Sequence, residues 1–407
     1  MISVEEALGR ILAGLADRTP LAAEDILLSD GLGRVLAEDI RARVTQPPTA
    51  MSAMDGWAVR AADVAAVPAT LRRIGAVPAG AHYDGMVGPG ETVRIFTGAP
   101  VPRGADTIVI QEDADQDGDR VVVREGAPKG TYVRPAGLDF VAGAVGLTAG
   151  RRLTARDIGL AAAMNHPWLR VRRRPRVAIL ATGDEIVRPG DPIGPNQIVS
   201  SNALALSALI KSVGGDPIML GIAPDESAAL RRMAAGAQGA DLLVTTGGAS
   251  VGEHDLVRSG LAPDGLALDF WSIAMRPGKP LMFGRLGSVP LLGLPGNPVS
   301  SLVCGMVFLK PALEALLGLA PAQELRQTAR LATDLKANDR RQDYLRARLH
   351  VDEDEVRQVI PFPKQDSSML SPLAQADCLV VRPPFAPAAR AGTPVEIIPL
   401  GGAGLPI

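Results

Sequence analysis

Cysteine is almost absent from this chain, which has only Cys304 and Cys378 in 407 residues. The two lie far apart in the sequence, and neither has a second cysteine or a histidine at the spacing of zinc ligands. Aromatic residues are also scarce, at 3%, which argues against the stacking platforms of proteins that bind single-stranded nucleic acid. The sequence therefore predicts neither a disulfide framework nor a zinc site.

Long apolar runs are missing as well. Apolar residues make up 47% of the chain, but 44 glycines and 34 prolines interrupt them. No stretch approaches the roughly 20 apolar residues that a membrane-spanning helix needs. The N-terminus carries Glu5 and Glu6 where a signal or transit peptide would carry basic residues. We therefore expect no membrane partner and a cytoplasmic location.

Neither sign of charge is in excess, since the formal net charge is −2. Such a chain has no overall attraction for nucleic acid, and no nucleic-acid partner is expected. The basic cluster at residues 170–176 is too short to change this. Because Arg172, Arg173 and Arg174 directly precede a predicted strand, we interpret them as a solvated linker.

The length of the chain predicts two to four domains, at roughly 100 to 200 residues per domain. Ser3 and Glu6 form a capping-box pattern ahead of apolar residues at helical spacing, which predicts an N-terminal helix. Residues 47–139 contain short β-branched runs between glycines and prolines and predict a β-rich domain. A second helix is expected at 154–164. We expect it to pack beside the first helix, so that the β-rich domain is an insertion.

From residue 176 the pattern alternates between strands and helices, which predicts a parallel sheet with helices on both faces. The expected elements are a strand at 177–180, a helix at 202–213, a strand at 218–222, a helix at 226–236 and a strand at 242–244. A last helix begins with Asn297 at the N-cap and Pro298 at the first helical position, and runs to about residue 317. Residues from about 330 to 400 look β-rich. The predicted fold class is α/β plus β.

Glycine-rich turns after the strands of this α/β region are candidate ligand sites, because open parallel sheets bind ligands at the carboxyl ends of their strands. In Ala181-Thr182-Gly183-Asp184-Glu185, glycine frees backbone N–H groups and two acids follow, as a magnesium–phosphate site requires. A tight turn with solvated acids explains this motif equally well.

The second turn, at 245–255, reads Thr-Thr-Gly-Gly-Ala-Ser-Val-Gly-Glu-His-Asp. Its two glycine steps and its hydroxyl groups suit an anion cradle that leads into a helix N-terminus. The concentration of hydroxyls and acids favours a function over a plain loop. We interpret His254 as a bystander rather than a metal ligand.

The third turn, Arg276-Pro277-Gly278-Lys279-Pro280, presents two cations on a rigid segment between apolar strands. The prolines lower the entropy cost of presenting these charges, and an oxyanion or phosphate is the natural partner. A solvated basic turn is an equal alternative. A further glycine-rich entry to a helix follows at 293–298, and by itself it is a weak signal.

Two motifs in the β-rich region, at 52–59 and 96–100, expose an acid, an aromatic residue and a hydroxyl on turns. By composition alone they are compatible with ordinary loops. An acidic stretch at 113–119 looks metal-like, but a solvated hairpin turn is the simplest interpretation.

Taken together, these segments resemble the molybdopterin molybdenumtransferase family, and the matches run in order along nearly the whole chain. Single motifs are weak, but few families combine them. The matching motifs are Ser52-Ala53-Met54-Asp55-Gly56, Thr97-Gly98-Ala99, Thr182-Gly183-Asp184-Glu185, Gly247-Gly248, Gly252-Glu253-His254-Asp255, Pro277-Gly278-Lys279-Pro280 and Leu294-Pro295-Gly296-Asn297-Pro298. The resemblance implies an enzyme that inserts molybdate into adenylated molybdopterin, with magnesium-dependent release of AMP, to give molybdenum cofactor.

The resemblance also implies four domains and an elongated homodimer. The domains are a helical linker domain (1–46 and 141–173), an inserted β-rich domain (47–140), a three-layer α/β molybdopterin-binding domain with a parallel-type sheet (174–320) and a C-terminal β domain (328–407). In the family the active site lies between the α/β domain of one subunit and the β domain of the other. The implied protein partners are the molybdopterin adenylyltransferase and molybdoenzyme apoproteins.

The resemblance carries the family's site residues over to matching positions of this chain. The implied catalytic residues are Asp55, Thr97, Asp139, Glu185, Asp225 and Asp255. Of these, Glu185, Asp225 and Asp255 would hold Mg²⁺. The implied residues around molybdopterin and the oxyanion are Thr182, Gly183, Ser201, Gly247, Gly248, Ser250, Arg276, Lys279, Pro295, Asn297, Arg346 and Ser367.

Two positions depart from the family's pattern. Ser272 stands where close relatives often carry a lysine, just after the Phe-Trp pair, and Arg276 stands where lysine is common. We therefore expect oxyanion binding to be somewhat altered. The sequence leaves the preference between molybdate and tungstate open.

Three alternative functions share parts of this pattern. A molybdopterin adenylyltransferase has the same α/β architecture and a Thr-Thr-Gly-Gly turn, but it would need only the α/β region. A non-catalytic scaffold, as in a receptor-clustering protein of neurons, would carry a further partner domain or long linker. A nucleotide hydrolase that borrows the α/β domain is less consistent with the motif at 252–255.

Overall fold

The computed structural model describes residues 1–248, 256–319, 326–351 and 356–401. The chain divides into two compact units. The first unit comprises Met1–Glu24, Gly33–Ala37 and Val171–Ile407, and the second comprises Asp25–Leu32 and Glu38–Arg170. Segments of the predicted helical linker domain fall in both units, and the four-domain division stays a prediction.

The secondary structure alternates as the sequence pattern predicts. The strands are β1 (Ala23–Leu27), β2 (Ile40–Arg41), β3 (Met51–Ser52), β4 (Gly56–Val59), β5 (Ala69–Val77), β6 (Glu91–Ile95), β7 (Thr107–Ile110), β8 (Ala114–Asp117), β9 (Arg120–Val123), β10 (Val133–Arg134), β11 (Val145–Leu147), β12 (Trp168–Arg172), β13 (Arg176–Thr182), β14 (Ile186–Val187), β15 (Ile198–Val199), β16 (Asp216–Ala223), β17 (Leu242–Thr246), β18 (Leu266–Phe270), β19 (Met275–Arg276), β20 (Met282–Leu286), β21 (Val289–Leu294), β22 (Gln327–Leu331), β23 (Gln342–Val351), β24 (Arg357–Pro361), β25 (Cys378–Arg382) and β26 (Pro394–Pro399). The α-helices are α1 (Val4–Gly14), α2 (Ala155–Ala163), α3 (Asn202–Val213), α4 (Ser227–Ala234), α5 (Leu256–Leu261), α6 (Pro298–Cys304), α7 (Lys310–Leu316) and α8 (Leu370–Ala374). Short 3₁₀ turns lie at Ala16–Arg18, Leu28–Asp30, Ala61–Val64, Gln111–Asp113, Ala235–Ala237 and Ala262–Asp264.

The main sheet of the first unit has the strand order β16-β13-β17-β21-β20-β18. The strands β16, β13, β17 and β21 are parallel, as the alternating pattern predicts. The strands β20 and β18 are antiparallel, so the sheet is mixed rather than wholly parallel. The reason is local, because β20 and β21 are joined by a tight turn through Gly287, and so short a link permits only an antiparallel hairpin.

Alternating side chains of β13 divide the core of this unit into two clusters, which gives three layers. Ile179 and its alternate neighbours pack with α1, α3 and the α6–α7 segment. Leu180 packs with α4 and α5 on the opposite face. Because α1 buries Ala7 and Ile11 in the α/β core, the expectation that it packs beside the 154–164 helix is wrong.

The α6–α7 segment is the longest apolar helix among the described residues. A π-helical turn at Gly305–Leu309 joins α6 and α7, where Pro311 lacks the N–H group that a regular helix would use. The expectation that no stretch approaches a membrane span is wrong, because Pro298–Leu316 is long and apolar enough to cross a membrane by length and composition, although 72% of it is buried inside the protein. It is therefore the central core helix of its unit, and Phe308 and Leu313 are fully buried there.

The C-terminal sheet of the first unit closes on itself through the order β23-β24-β22-β26-β25, with β25 paired back to β23. Closure leaves few exposed strand edges. The core inside it includes Ala347, Val359, Val380 and Ile397. The short strand β19 adds to this sheet by parallel pairing with β23, which connects it to the turn at 276–280.

Arg173 does not lie in a solvated linker, contrary to the expectation for the basic cluster. Its guanidinium donates two hydrogen bonds of 2.7 Å to the buried carboxylate of Asp241. Arg172 donates to the carbonyl oxygen of Leu21. A buried carboxylate needs a paired cation, and the sequence pattern did not reveal that Asp241 was buried.

The second unit is built on a sheet of order β7-β4-β6-β5-β9-β8. Trp57 and Val121 pack on one face of the sheet, and Ala58 and Ile95 pack on the other. The acidic stretch at 113–119 lies in a hairpin, as expected, but most of it is strand β8, and only residues 118–119 form the turn to β9.

A capping box fixes the start of α2 in the second unit. The buried carboxylate of Asp157 accepts bonds from the backbone N–H and the hydroxyl of Thr154, both at 2.8 Å, and from Arg151. Burial acts to raise the pKa of Asp157, but these donors outweigh it and hold the pKa below its usual value. The carboxylate therefore stabilises the folded chain while it is ionised.

We expect Asp157→Asn to lower the free energy of unfolding by about 1 kcal/mol at neutral pH, the typical cost of a lost cap. Because the pKa of Asp157 is lowered on folding, its contribution is complete above the usual carboxyl range and is lost as the pH falls through the folded pKa. Urea unfolding of both proteins between pH 7 and pH 3 tests this. A difference that stays constant across the range would contradict it.

Candidate functional site

Three glycine-rich turns lie side by side at the carboxyl edge of the main sheet. They follow the adjacent strands β13, β17 and β21 and span residues 182–185, 246–248 and 294–297. The strands end at one level, because Ala181 pairs with Thr246 and Thr246 pairs with Leu294. The sequence therefore predicted the grouping of these turns correctly. The turn at 276–280 is different, since it follows β19 of the C-terminal sheet.

Glycine at 247 and 248 permits the turns to approach each other closely. Both residues have positive φ, at 89° and 63°. A Cβ atom on Gly247 would overlap the carbonyl oxygen of Thr182, and one on Gly248 would lie 2.6 Å from the Thr182 hydroxyl. Gly296 completes the arrangement, because its Cβ position is 3.5 Å from the Cα atom of Gly247. Larger residues at 247 or 248 would push the turns apart.

We expect Gly247→Ala to weaken binding of the site's ligand and to destabilise the chain by about 1 to 3 kcal/mol, the cost of a strained left-handed residue. Gly190→Ala is a matched control, because Gly190 has a φ of 92° but nothing within 4 Å of its Cβ position. Thermal unfolding of Gly190→Ala measures the backbone strain alone, and the further loss of stability in Gly247→Ala measures the overlap with Thr182. If Gly247→Ala and Gly190→Ala lost ligand binding equally, the close approach of the glycine-rich turns would have no role in binding.

Two buried hydroxyl groups beside these turns have no hydrogen-bond partner among the described residues. They belong to Thr182, which is 1% exposed, and Thr245, which is fully buried. Both lie near the carboxyl ends of β13 and β17. Leaving such a group unpaired costs about 1 to 3 kcal/mol, so each hydroxyl calls for a further partner such as a water, an ion or a ligand. The hydroxyl of Thr246 is different, since it accepts from the Nδ2 atom of Asn202 at 3.0 Å.

Asn202 is a site residue that the sequence analysis missed. Its Nδ2 atom also donates to the carbonyl oxygen of Gly296 at 2.7 Å, so one amide ties the turns after β17 and β21 together. Asn202 is the first residue of α3 and follows Ser201, which occupies the N-cap position. Consecutive polar residues at a helix start were the available signal, but they did not indicate which of them faces the turns.

The predicted acids lie at the same edge of the sheet. A Cβ atom on Gly183 would lie 2.7 Å from the Oε1 atom of Glu185, so this side chain folds back over the turn. Asp225 follows β16, and its backbone N–H donates to the Oδ1 atom of Asp184 at 3.0 Å. Asp184 thus connects the loop after β13 to the loop after β16. Its position in the sequence beside Glu185 did not reveal this role.

Asp255 and Ser250 lie outside the described residues, as do Glu253 and His254. Within the described parts of the chain, no group of three or more histidine, cysteine or acidic side chains is close enough to hold a metal ion. Mg²⁺ is usually bound by one or two carboxylates together with substrate phosphates, and Glu185 and Asp225 supply carboxylates.

Lys279 and Arg276 differ in their surroundings, although both lie on the 276–280 turn. The ammonium group of Lys279 has no hydrogen bond or ion pair with any residue that the structure describes. The Arg276 guanidinium instead binds Asp343 through two hydrogen bonds, one of them Nε to Oδ1 at 2.8 Å, and also contacts Asp339 and Asn338. Burial raises the pKa of Asp343, and Arg276 opposes that shift. We expected both cations to bind an anion, whereas the structure gives acceptors to Arg276.

The C-terminal candidates Arg346 and Ser367 occupy one neighbourhood. The hydroxyl of Ser367 accepts from the Nδ2 atom of Asn297 at 2.9 Å, and its carbonyl oxygen accepts from the N–H of Val299. Arg346 is 1% exposed and donates to the carbonyl oxygen of Met369 at 2.8 Å and to Gln365. Arg346 therefore holds the loop that carries Ser367 against the start of α6. Asn297 occupies the N-cap position, but its side chain binds Ser367 rather than the helix.

In the second unit, Asp55 and Thr97 form a compact pair. The Oδ1 atom of Asp55 accepts from the backbone N–H of Thr97 at 2.7 Å and from its hydroxyl at 2.8 Å. These bonds, with the nearby charge of Arg94, hold the pKa of Asp55 below its usual value. Gly56 has no room for a side chain, since a Cβ atom would overlap the carbonyl oxygen of Val109. Asp55 is therefore a fixed, partly exposed carboxylate.

Asp139 also belongs to the second unit and is exposed. Its backbone N–H donates to the carbonyl oxygen of Gln46 at 3.0 Å. No hydrogen bond to its carboxylate occurs among the described residues, so the structure gives it no defined role. Pro295 contributes through its backbone, because its carbonyl oxygen accepts from the Thr246 hydroxyl at 3.4 Å.

Relatives of known family resemble this chain over most of its length. A protein of Nostoc named molybdopterin molybdenumtransferase is 38% identical over 364 residues, which cover 86% of this chain and 83% of that protein. The chain belongs to this family. A Haemophilus influenzae protein of the same name is 33% identical, with 94% of both chains covered.

Family models and a solved structure agree with this membership. Residues 2–165 match the MoeA N-terminal region (domain I and II), 178–315 match a probable molybdopterin-binding domain, and 328–400 match the MoeA C-terminal region (domain IV). The crystal structure of a molybdopterin biosynthesis MoeA protein from Pyrococcus horikoshii is 31% identical and superposes with a TM-score of 0.85, over 99% of this chain and all of that one. The predicted family and the α/β plus β multidomain fold are confirmed.

Proposed function

We propose that this chain inserts molybdenum from molybdate into adenylated molybdopterin and releases AMP. The observation that carries the proposal is the set of three glycine-rich turns with the unpaired hydroxyls of Thr182 and Thr245, inside the segment that matches a probable molybdopterin-binding domain. Family membership over nearly the whole chain supports the same reaction, because the relatives carry that name. An adenylyltransferase is not favoured, since the matched relatives include the flanking regions as well.

The turns at 182–185, 246–248 and 294–297 are proposed to bind the pterin and phosphates of the substrate. Gly247 and Gly248 are proposed to direct backbone N–H groups at the phosphates, because such groups are good donors to phosphate oxygens. The N–H of Gly183 instead donates to the carbonyl oxygen of Ala223 at 3.2 Å. Thr182, Ser201 and Ser250 add hydroxyl groups. Pro295 and Asn297 shape the turn that leads into α6.

Glu185, Asp225 and Asp255 are the residues that would hold Mg²⁺, which would neutralise charge on the phosphates. The phosphoanhydride bond of the substrate breaks when an oxygen of water or of molybdate bonds to the phosphorus on the molybdopterin side, and AMP leaves with the bridging oxygen. Where molybdate is the attacking group, water then hydrolyses the phosphate–molybdate anhydride. Asp55 and Asp139 are proposed to orient the attacking oxygen, with Thr97 fixing the Asp55 carboxylate. The two dithiolene sulfurs of the pterin then form Mo–S bonds, while one Mo–O bond of molybdate breaks and its oxygen leaves as water with the two thiol protons. The pterin thus supplies the soft ligands of molybdenum, and neither buried cysteine is needed.

Molybdate is a tetrahedral dianion, so it needs cationic and hydroxyl donors. Of the two cations on the 276–280 turn, Lys279 has no partner among the described residues, and we assign it to the oxyanion. Ser367 is proposed as a hydroxyl donor, and Arg346 as the residue that holds its loop. Arg276 lies on the same turn but is already bound by carboxylates.

We further propose that the protein works in the cytoplasm as a homodimer. The molybdopterin adenylyltransferase then supplies the adenylated molybdopterin, and the molybdenum cofactor is passed to molybdoenzyme apoproteins.

The direct test is AMP release from adenylated molybdopterin by the purified protein with Mg²⁺, with and without molybdate, and with tungstate as a control. We expect release that depends on molybdate and yields metal-bound cofactor. Tight binding of the substrate without AMP release under either oxyanion would contradict the proposal and would instead indicate a carrier or scaffold.

A further inference from the structure

We propose that Asp343 is a positioning residue that holds Arg276 away from the oxyanion and uses it to fix the turn that presents Lys279. The inference rests on the proposed function, because the oxyanion is its subject. Of the two neighbouring cations, Arg276 then has a structural role and Lys279 binds the ligand.

The first step is the geometry of the Arg276 fork. Its Nε and Nη2 atoms bind the two carboxylate oxygens of Asp343 side by side, which is the strongest arrangement between these groups. Its Nη2 atom also donates to Asn338 Oδ1 at 3.1 Å, and Nη1 lies 3.4 Å from Asp339 Oδ2. All three nitrogen atoms of the guanidinium thus have protein acceptors.

The acceptors are themselves fixed. Asp339 accepts from the backbone N–H of Arg341 at 2.8 Å and from its guanidinium at 2.7 Å. The Nδ2 atom of Asn338 donates to the carbonyl oxygens of Arg341 and Pro383 at 2.8 and 2.9 Å. Asp343 lies on β23 with a side chain only 7% exposed. The acceptors for the Arg276 guanidinium are therefore held in fixed positions by the C-terminal sheet and its loops.

The backbone carries this restraint to Lys279. Arg276 pairs directly with Asp343 in the β19–β23 ladder. Three residues later, the carbonyl oxygen of Lys279 accepts from the N–H groups of Ile273 and Leu281, at 3.0 and 3.1 Å. Between them, Gly278 has a φ of 120° and a Cβ position only 2.5 Å from the Sγ atom of Cys304, so the turn is packed without spare room. The backbone of Lys279 is held while its ammonium group stays available.

Charge argues against Arg276 as an oxyanion ligand. Two carboxylates lie within 3.4 Å of its guanidinium, and a dianion that replaced water there would be repelled by both. If Arg276 did bind the oxyanion, then neutralising Asp343 would strengthen binding, because a competing acceptor charge would be removed. If Asp343 positions the turn, the same change weakens binding. The sign of the effect separates the two roles.

The experiment measures binding of molybdate alone to the full-length protein by equilibrium dialysis, for wild type, Asp343→Asn, Arg276→Gln and the double variant. We expect each single variant to raise the Kd for molybdate by about tenfold, because the turn no longer holds Lys279 in place and its charge-assisted contact with the oxyanion is weakened. The double variant should show the same Kd as either single variant, because both remove one coupled pair. Substrate binding, measured as the KM for adenylated molybdopterin, should not change.

Asp264→Asn is the matched control. Asp264 also binds an arginine, Arg231, through two hydrogen bonds of 2.8 Å, but this pair lies on α4 and the 3₁₀ turn after α5. Asp264→Asn should leave the Kd for molybdate unchanged. It should lower the midpoint of thermal unfolding by about as much as Asp343→Asn does. A lower or unchanged Kd in Asp343→Asn, or a further rise on adding Arg276→Gln to it, would overturn the inference. So would wild-type protein that binds no molybdate, whereas binding without AMP release would overturn only the proposed function.

Discussion

Asp55→Asn is expected to reduce molybdate-dependent AMP release by about 100-fold, the usual loss when a positioned acid or base is removed. Asparagine keeps an oxygen that accepts from the N–H and hydroxyl of Thr97, so the turn keeps its hydrogen bonds. Only the negative charge is lost. Because the pKa of Asp55 is held below its usual value, wild type carries this charge throughout the neutral range.

The pH dependence gives a second readout for this carboxylate. A lowered pKa means that the ionised form persists as the pH falls, so wild-type activity should decline only below the usual carboxyl range on account of Asp55. The matched control is Asp63→Asn, since Asp63 also accepts a backbone N–H, that of Gly90 at 3.1 Å, in the same unit. Equal activity of the two variants at equal thermal stability would exclude a catalytic role for Asp55.

Lys279→Ala is expected to raise the Kd for molybdate by about 10- to 100-fold, because a hydrogen bond to a charged group contributes about 1.5 to 3 kcal/mol. The lysine ammonium has no partner among the described residues, so its removal breaks no internal ion pair. The thermal unfolding midpoint should therefore stay close to that of wild type. Equilibrium dialysis with molybdate alone measures the effect directly.

Lys211→Ala serves as the control for lost positive charge, since Lys211 is exposed on α3. It should leave the Kd for molybdate within error of the wild-type value. Lys279→Arg should retain most of the affinity, because the charge and donors remain. If Lys279→Ala binds molybdate as wild type does, the oxyanion is bound elsewhere and the assignment fails.

The sequence predicted the elements of the α/β region well, because their signals are local. The helix at 202–213 has the predicted bounds. The capping pattern at Ser3 is present as a 3.0 Å hydrogen bond from the N–H of Glu6. The order of strands and helices in turn placed the turns after β13, β17 and β21 at one sheet edge, since parallel strands end on the same side.

Errors arose where distant residues decide the outcome. The buried acceptor Asp241 gives Arg173 a structural partner that lies 68 residues away. The first helix packs on the α/β core, because its apolar face fits the surface beside α7 rather than a partner of similar pattern. The 276–280 turn looked like part of the α/β region, yet β19 pairs with β23, and no local pattern encodes that pairing.

The sequence by itself determined the family and the glycine-rich turns, since both depend on residue type and spacing along the chain. It also predicted the acids and hydroxyls of the candidate site. Only the tertiary structure decided which polar groups are already paired. Arg276 and Lys279 are equivalent as a pattern, but the buried carboxylate of Asp343 binds one and leaves the other available. The physical reason is that a charge acts through its nearest neighbours in space, which the order of residues does not specify.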